Sequence, residues 1–399
     1  MDAGEQAPFD WIWWYAACIA HEYAEECGSL SYIHRYGRVV GAFPVSSDGP
    51  LKVPKLRASV IITTYNRAHL VSRAISSVLA ATRPGDEVIV IDDGSVDHTA
   101  QVIAAYGDRI RYFVVKHHGA GAARNRGIRE ARNELVAFLD SDDEWLPGQL
   151  ELQRSLMEVR ADILFAFSNF MSESRGKRVH RMLESWRGGR TRWDEVLGPG
   201  VRFSSSARLP PGFSDFNFHV GDLSSWEMAD WYFSTITLVV RRKEAGDALH
   251  FAEDLPIYED WPFCGRLAKK GLAAYLDCET AVNYGHNGPR LTDADILTQA
   301  STGLQVLDRV WGADSAFVSK YGELYRRAVA KWQLRKIEGL IVRGHTRQAR
   351  AEMRGQENLS LRWPFLLLAS LPGGIAAPVV RTAQGARRLY SRIEQRFSP

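Results

Sequence analysis

The chain has 399 residues, of which 45% are hydrophobic and 24% charged, a composition that excludes a mainly disordered, collagen-like or fibrous protein. Its four cysteines are too few for a disulfide framework and form no CxxC pair, which disfavours a zinc ribbon or a thioredoxin-type site. We therefore expect a cytoplasmic protein with reduced thiols. The net charge of +3 conceals a basic tail, because residues 320–399 hold 16 Lys and Arg against 5 Asp and Glu. Such a tail is predicted to meet an anionic surface, either a membrane or nucleic acid.

Residues 1–57 form a predicted N-terminal appendage. They are rich in aromatic side chains, with Trp11, Trp13, Trp14 and Tyr15 close together, and residues 46–50 have the composition of a loop. No motif in this segment indicates chemistry.

From residue 58 the sequence alternates between short β-branched runs and segments with apolar residues at helical spacing. Strands are predicted at 60–64, 87–91, 110–115 and 135–139, and helices at 68–81, 97–106 and 121–131. This alternation predicts an α/β fold with a mostly parallel sheet and helices on both faces. In such a sheet, ligands bind outside the carboxyl ends of the strands.

Polar and acidic residues follow each predicted strand, where this rule places a ligand site. The four segments are Thr63-Thr64-Tyr65-Asn66-Arg67, Asp92-Asp93-Gly94-Ser95, His117-His118-Gly119-Ala120-Gly121 with Arg124-Asn125 after it, and Asp140-Ser141-Asp142-Asp143-Glu144. Because the carboxyl ends of parallel strands share one edge of a sheet, these groups are predicted to converge there.

The acidic segment after the fourth strand predicts a site for a divalent cation. Three carboxylates within the four residues 140–143 repel each other unless a cation neutralises them, and hard oxygen ligands favour Mg²⁺ or Mn²⁺. The ligands are too few for a closed cage, so the metal would share its coordination with a phosphate and water. An acidic turn or helix N-cap is the alternative interpretation.

The other segments carry groups suited to a nucleotide. Asp92 could accept a hydrogen bond from a nucleobase or ribose, although an N-cap and turn before the next helix would use the same residues. Tyr65 could stack on or border a base, and the planar guanidinium of Arg124 could clamp a diphosphate.

Four segments together resemble the family-2 glycosyltransferases of GT-A fold over roughly residues 58–295, with the acidic segment as the DxD motif. They are Val60-Ile61-Ile62-Thr63-Thr64-Tyr65-Asn66-Arg67, Val90-Ile91-Asp92-Asp93-Gly94-Ser95-Val96-Asp97, Gly121-Ala122-Ala123-Arg124-Asn125-Arg126-Gly127 and Phe138-Leu139-Asp140-Ser141-Asp142-Asp143. The resemblance implies a nucleotide-sugar site formed by Thr64, Tyr65, Asn66, Arg67, Asp92, Asp93, Arg124, Asp140 and Ser141.

The resemblance also implies a catalytic pair and a third metal ligand. In Leu255-Pro256-Ile257-Tyr258-Glu259-Asp260-Trp261, Asp260 corresponds to the general base and Glu259 is its neighbour. His286 lies in a segment whose histidine approaches the metal or diphosphate, which makes Asp142, Asp140 and His286 the implied ligands of Mn²⁺ or Mg²⁺. An acidic N-cap for a helix at 261–270 and a structural histidine are the alternatives.

The implied function is metal-dependent inverting transfer of a sugar from a nucleotide-diphosphate sugar to an acceptor hydroxyl. By resemblance the donor is a UDP-sugar, and the acceptor is a glycan or lipid-linked glycan of bacterial surface polysaccharide assembly. A protein or peptide acceptor and a non-catalytic carbohydrate-binding protein are the alternatives. A nucleotidyltransferase is disfavoured because residues 63–67 contain no glycine, and a dinucleotide oxidoreductase because Gly119-Ala120-Gly121 follows the third strand rather than the first.

The resemblance implies that residues 58–146 are the nucleotide-binding half and residues 147–298 the acceptor half. The spacing of apolar residues predicts a helical extension at 299–360, and composition predicts an apolar and basic tail at 361–399. Within that tail, residues 363–380 carry no charge, but three prolines interrupt them, so a regular spanning helix is not expected. Arginines after this stretch predict contact with an anionic membrane surface rather than nucleic acid, and hence peripheral attachment to the inner face of the cell membrane.

Overall fold

The structure, a computed structural model, describes residues 55–174, 176–187, 189, 191–284, 294–354 and 378. Residues 55–284 lie in one compact unit, and residues 294–354 lie in another. The predicted appendage (but for residues 55–57), His286 and the tail at 361–399 (but for residue 378) fall outside the described residues. The domain boundaries derived from the sequence stay predictions.

The first unit combines one large sheet with helices, and the second is helical. The strands are β1 (Ala58–Thr64), β2 (Glu87–Asp92), β3 (Arg111–Val114), β4 (Leu135–Asp140), β5 (Glu144–Trp145), β6 (Ile163–Ser174), β7 (Lys177–Val179), β8 (Val201–Arg202), β9 (Asn217–Gly221), β10 (Val239–Arg241) and β11 (Leu272–Tyr284). The α-helices are α1 (Val71–Ala81), α2 (Thr99–Ala104), α3 (Ala120–Glu130), α4 (Gln149–Val159), α5 (Met182–Ser185), α6 (Trp193–Leu197), α7 (Trp226–Ala229), α8 (Arg242–Ala245), α9 (Trp261–Lys270), α10 (Ile296–Leu307), α11 (Ser315–Val342) and α12 (Thr346–Arg354).

The sheet runs in the order β3-β2-β1-β4-β10-β6-β11-β9-β8, and its first four strands are parallel. Strand β1 lies between β2 and β4, with Thr64 opposite Asp92 and Thr63 opposite Asp140. The carboxyl ends of these strands are therefore level. The connection from β3 returns past β1 to β4, so the strand order reverses at β1, and such a switch point opens a crevice for ligands.

The predicted α/β class is confirmed, and the four predicted strands and three predicted helices all form within a few residues of their expected ends. All seven residues of β1 are buried, as its β-branched composition predicts for a central strand. The second half of the sheet is less uniformly parallel than the first, because β10 lies antiparallel between β4 and β6.

The second half of the sheet is built on two long strands, β6 and β11, which pair in parallel. Phe165, Phe167 and Phe233 pack together at this part of the core, with ring centroids 5.0–6.3 Å apart. Strand β11 also pairs antiparallel with β5, the short strand after the acidic turn. This pairing brings the end of β11 beside residues 140–143.

Residues 294–354 form their own helical packing. Gly303 of α10 lies against Trp332 of α11, where a Cβ would come within 2.6 Å of the indole ring. Asp295 and Asp314 cap α10 and α11 by accepting hydrogen bonds from main-chain N–H groups of the first turn. No helix within the described ranges is both long enough and apolar enough to span a bilayer.

Substitution Gly127→Ala is expected to destabilise the first unit by about 1–3 kcal/mol, because its Cβ would lie 2.3 Å from Cγ2 of Ile61 in the buried central strand. Gly322→Ala is the matched control: a Cβ at this helical glycine would meet no atom within 4 Å, and alanine favours a helix by roughly 0.5–1 kcal/mol. Urea unfolding followed by circular dichroism measures both. An unchanged midpoint for Gly127→Ala would contradict the close packing of α3 on β1.

Candidate active site

The loops after β1 and β2 hold each other by hydrogen bonds. Asn66, at a φ of 52°, donates its N–H to the Ser95 hydroxyl (2.9 Å), and its side-chain oxygen accepts the N–H of Val96 (2.9 Å). The N–H of Arg67 donates to the Thr99 hydroxyl at 3.1 Å. Asparagine tolerates the left-handed backbone better than most residues, which suits this tight turn. Asn66 and Arg67 therefore lie at the predicted edge.

Asp92 lies at the end of β2 but is 1% exposed. One carboxylate oxygen accepts the N–H of Ser95 (2.8 Å), and the other accepts the hydroxyl of Tyr112 (2.7 Å). Burial, together with the bond to Asp92, raises the pKa of Tyr112. The turn interpretation of Asp92 thus has direct structural support, while its predicted contact with a nucleobase stays a prediction.

Asp93 organises the loop after β3. Its carboxylate accepts the N–H groups of His118 (2.9 Å) and Gly119 (2.8 Å) and contacts Nδ1 of His117 at 2.8 Å. The His117 ring stacks on Tyr65, with centroids 4.1 Å apart and planes 12° from parallel. Tyr65 is 40% exposed, so the stacked pair presents an aromatic surface at the edge of the sheet. The sequence placed His117 in this loop but assigned it no role, because the contact with Tyr65 spans 52 residues.

The side chain of Arg124, in helix α3, joins the two halves of the site. Nη2 donates to Oδ1 of Asp140 at 2.8 Å, and Nη1 donates to Oε1 of Glu259 at 3.0 Å. Its guanidinium is almost wholly buried, which lowers its pKa, but the charges of Asp140, Glu259 and Asp260 outweigh burial and raise the pKa above its usual value. Arg124 thereby ties the end of β4 to the segment before α9. Its predicted role toward a diphosphate stays a prediction.

Two neighbours of Arg124 fix the segment that carries Glu259. The side-chain amide of Asn125 donates to the carbonyl of Phe251 (2.9 Å) and accepts the N–H of the same residue (2.8 Å). Gly121 leaves room for this segment, because a Cβ there would lie 2.5 Å from the carbonyl oxygen of Ala252. The first turns of helix α3 thus fix the position of the segment that carries Glu259.

Asp260 is the residue from which α9 begins. Burial and the adjacent charge of Glu259 raise its pKa to about 7, although Arg124 acts in the opposite direction. A carboxyl group with a pKa near neutrality is suited to general-base chemistry at working pH. Tyr258, two residues before it, has a φ of 60°, which is an outlier for a bulky residue.

The acidic turn after β4 separates its three carboxyl groups. Asp143 is 1% exposed and accepts hydrogen bonds from the Asn283 amide (3.0 Å) and the N–H of Tyr284 (3.2 Å) at the end of β11. Burial and the charges of Asp142 and Asp140 raise the pKa of Asp143 well above its usual range. Asp143 is therefore a structural link, while Asp140 and Asp142 stay partly exposed.

Arg73 of α1 supports the same turn and was not identified from the sequence. Its Nη2 donates to the main-chain oxygen of Asp142 at 2.7 Å, and its guanidinium lies 3.6 Å from the ring centre of Tyr284. In the sequence, an arginine in the first turn of an amphipathic helix looks like any solvent-exposed helix residue. No local pattern therefore signals this contact.

The donor set of this turn fits a divalent cation shared with a ligand. No group of three or more His, Cys, Asp or Glu side chains in the described part of the chain is arranged to hold a metal ion without further ligands. Asp140 and Asp142 supply hard oxygens, and their effect on Asp143 indicates that their charges lie close to it. Two carboxylates would leave most of a six-coordinate sphere to phosphate and water, and the metal site stays a prediction.

The other expected residues lie as follows. Thr64 and Ser141 are buried at the ends of β1 and β4; the main-chain oxygen of Thr64 accepts the N–H of Asp93 (2.9 Å), and the N–H of Ser141 donates to the oxygen of Thr63 (3.2 Å). The Thr64 hydroxyl finds no hydrogen-bond partner within the described residues. His286 lies outside those residues, so its ligand role stays a prediction.

Substitution Asp260→Asn is expected to stabilise the ligand-free protein at pH 8 but not at pH 4. The folded protein holds the Asp260 proton up to a pKa of about 7, whereas the unfolded chain releases it near 3.8, so wild-type stability falls between these values. The loss amounts to at most about 4 kcal/mol, and less because Asp260 is partly exposed.

Thermal unfolding of wild type and variant from pH 4 to 8 measures this difference. The melting temperatures should diverge as the pH rises, in favour of the variant. A difference that stays constant across the range would show that Asp260 titrates normally.

Comparison with known proteins relates part of the chain to one enzyme family. Residues 59–208 match the family model described as Glycosyl transferase family 2. An "Uncharacterized glycosyltransferase" of Rickettsia felis is 39% identical over 126 residues, which are 31% of this chain and 21% of the relative. The UDP-Glc:alpha-D-GlcNAc-diphosphoundecaprenol beta-1,3-glucosyltransferase WfgD of Escherichia coli is 39% identical over 114 residues, 28% of this chain and 45% of the relative.

The chain thus spans less than half the length of these curated relatives. Among solved structures, the mannosyltransferase PcManGT of Pyrobaculum calidifontis, in complex with GDP-Man and Mn²⁺, aligns over 94% of this chain and 99% of its own, with 16% identity and a TM-score of 0.49.

Proposed function

Because residues 59–208 match the model of glycosyl transferase family 2, we propose that the protein is a metal-dependent inverting glycosyltransferase. It would move a sugar from a nucleotide-diphosphate sugar to an acceptor hydroxyl, in the assembly of a bacterial surface polysaccharide or a lipid-linked glycan. The fold, the convergence of the four strand-end segments and the family assignment support this proposal together.

One observation carries the proposal: Arg124 binds Asp140 and Glu259 at the same time. Asp140 belongs to the acidic turn that would hold the donor diphosphate, and Glu259 adjoins the candidate base Asp260. A donor sugar and an acceptor hydroxyl must meet within a few ångströms for direct transfer. The ion pairs bring Asp140 and Glu259 to one buried guanidinium, which supports the proposal that donor and acceptor meet here.

The donor side is assigned to the loops after β1, β2 and β3. The stacked pair of Tyr65 and His117 offers an exposed aromatic surface for a nucleobase. Asn66 and Arg67 border it, while Asp92 and Asp93 keep the loops in position through main-chain hydrogen bonds. UDP is the favoured nucleotide because WfgD, one of the relatives, is named for UDP-Glc.

The transfer step is a single displacement at the anomeric carbon. Asp260 accepts the proton of the acceptor hydroxyl as the acceptor oxygen forms its bond to that carbon. The bond from the carbon to the diphosphate oxygen breaks on the opposite face, and the nucleoside diphosphate leaves with both electrons. The sugar is inverted, and no covalent enzyme intermediate forms.

The residues that would hold a divalent cation are Asp142 and Asp140, with His286 as a further candidate outside the described residues. When bound, Mn²⁺ or Mg²⁺ stabilises negative charge on a departing diphosphate. Asp143 contributes indirectly, because its bonds to Asn283 and Tyr284 hold the turn against β11.

The acceptor is assigned to the lipid-linked glycan class because WfgD is named for a sugar carried on diphosphoundecaprenol. Such an acceptor lies at a membrane, which agrees with the proposed membrane contact of the basic tail at 361–399. A protein or peptide acceptor is the second candidate, and no contact among the described residues favours it.

The first test is binding of nucleotide sugars to the full chain. Thermal shift with a panel of UDP-, GDP- and dTDP-sugars and Mn²⁺ identifies the donor, and calorimetry measures its affinity. Asp142→Ala should abolish the Mn²⁺-dependent part of the affinity, because one of the two proposed carboxylate ligands is lost. Asp108→Ala, an exposed residue before β3 at the opposite end of the sheet, is the matched control. Failure of every nucleotide sugar to bind wild type would refute the proposed function.

The second test addresses the base. Asp260→Asn should reduce transfer by roughly 10²–10⁴-fold while nucleotide affinity stays within a few fold, because the amide keeps the shape but accepts no proton. The exposed Asp247→Asn serves as the control. Transfer by Asp260→Asn at the wild-type rate, measured as release of the nucleoside diphosphate, would remove Asp260 from this role.

A further inference from the structure

Three aromatic side chains, Trp231, Tyr258 and Trp261, form a cluster beside Asp260 that we call the aromatic platform. The Trp231 ring lies 4.6 Å from the Trp261 ring and 4.9 Å from the Tyr258 ring, measured between centroids. Trp261 is wholly buried, whereas Trp231 and Tyr258 are only half-buried. The platform therefore has a buried base and two rings that keep part of their surface exposed.

Two members of the platform flank the candidate base in the sequence. Tyr258 precedes Asp260 by two residues and Trp261 follows it directly, while Trp231, in the loop after α7, contacts both of these rings. Asp230 lies next to Trp231. The charges of Asp230 and Asp260 both raise the pKa of the buried Glu227 carboxyl group. Aromatic rings and carboxyl groups are thus adjacent in the chain at two places in the platform, at Asp230-Trp231 and at Asp260-Trp261.

The backbone of the platform is held in an unusual conformation. Tyr258 has a φ of 60°, which a bulky residue adopts only when the surrounding structure imposes it. Strain of this kind concentrates at ligand sites, because it fixes side chains in positions that a relaxed backbone would not give. The strain turns the chain directly before Glu259 and Asp260.

Hydrogen bonds from neighbouring residues also hold the platform in position. Arg187 donates a hydrogen bond to the main-chain oxygen of Trp231, and its guanidinium lies 4.2 Å from the ring centre of Tyr232. Glu227 accepts the N–H of Tyr232 at 3.0 Å, and the indole N–H of Trp261 donates to the main-chain oxygen of Glu227, also at 3.0 Å. These bonds fix Trp231 before a ligand arrives, which reduces the ordering that binding requires.

We propose that the aromatic platform is the acceptor subsite and that it takes a neutral pyranose ring, stacked on Trp231 and Tyr258 with its reacting hydroxyl toward Asp260. This inference deepens the proposed function and rests on it for the role of the bound sugar. A pyranose has an apolar face of C–H groups and a rim of hydroxyl donors. Exposed rings beside carboxylate acceptors complement both features, whereas the hydrogen-bonding main chain of an extended peptide finds no exposed sheet edge in the platform.

The test is direct binding of simple glycosides to the full chain without a donor. The probes are methyl β-D-glucopyranoside, methyl β-D-galactopyranoside and methyl N-acetyl-β-D-glucosaminide, and saturation-transfer difference NMR measures their affinity. At least one should bind wild type, with the strongest transfer to the ring protons of one face. Trp231→Ala should weaken that binding by about tenfold or more, and Trp231→Phe should restore most of it.

Trp186→Ala is the matched control, because Trp186 is a half-exposed tryptophan of the same unit that contacts Phe170 rather than the platform. Tyr258→Leu, which keeps apolar bulk without the aromatic ring, is the second variant in case Trp231→Ala does not fold. Folding of each variant is verified by its circular dichroism spectrum.

The outcomes separate this inference from the proposed function. Equal glycoside affinity in wild type, Trp231→Ala and Tyr258→Leu would overturn the inference, as would binding of N-acetyl-Gly-Ser-Gly-amide in place of every glycoside. Nucleotide-sugar binding, measured by calorimetry on the same samples, tests the donor site independently. Glycoside binding that depends on Trp231 in a protein that binds no nucleotide sugar would support a sugar site here and refute glycosyl transfer.

Discussion

The arrangement of the candidate site depends on the burial of one guanidinium, that of Arg124. A buried cation is strongly unfavourable unless carboxylates surround it, and here Asp140 and Glu259 bind it directly while Asp260 adds its field. The three carboxyl groups would in turn repel each other without the cation. Each half of the site therefore depends on the other, because removal of Asp140 or Glu259 would leave the buried guanidinium with one direct ion pair instead of two.

This electrostatic balance also sets the state of Asp260. Burial and Glu259 raise its pKa, Arg124 lowers it, and the result lies at about 7. A base must be deprotonated to act yet basic enough to accept a proton, so a pKa near the working pH is favourable. The charges that join the two halves of the site thus also adjust the basicity of Asp260, the candidate general base.

Local structure departs from its preferences around this site. Asn66 and Tyr258 adopt positive φ, Gly121 is required by a close main-chain approach, and Asp143 is buried with a raised pKa. Elsewhere in the first unit, β-branched strands and amphipathic helices follow their sequence patterns closely. Such conflicts between local preference and tertiary structure are expected where a site must be preorganised, and the well-packed sheet supplies the stability that offsets them.

Local patterns in the sequence were enough to predict the α/β class, the four parallel strands, the strand-end segments and helix 261–270, because these depend on periodicity and on residues close in the chain. Long-range packing alone established that β10 enters antiparallel beside β4, that Arg124 pairs with a carboxylate 135 residues away, and that Asp143 turns toward β11 rather than the cleft. The contacts of His117 with Tyr65, of Arg73 with Asp142 and of Trp231 with Trp261 also emerged only from that packing. Contacts of this kind join segments far apart in the chain, and no local pattern encodes the register in which two distant segments pack.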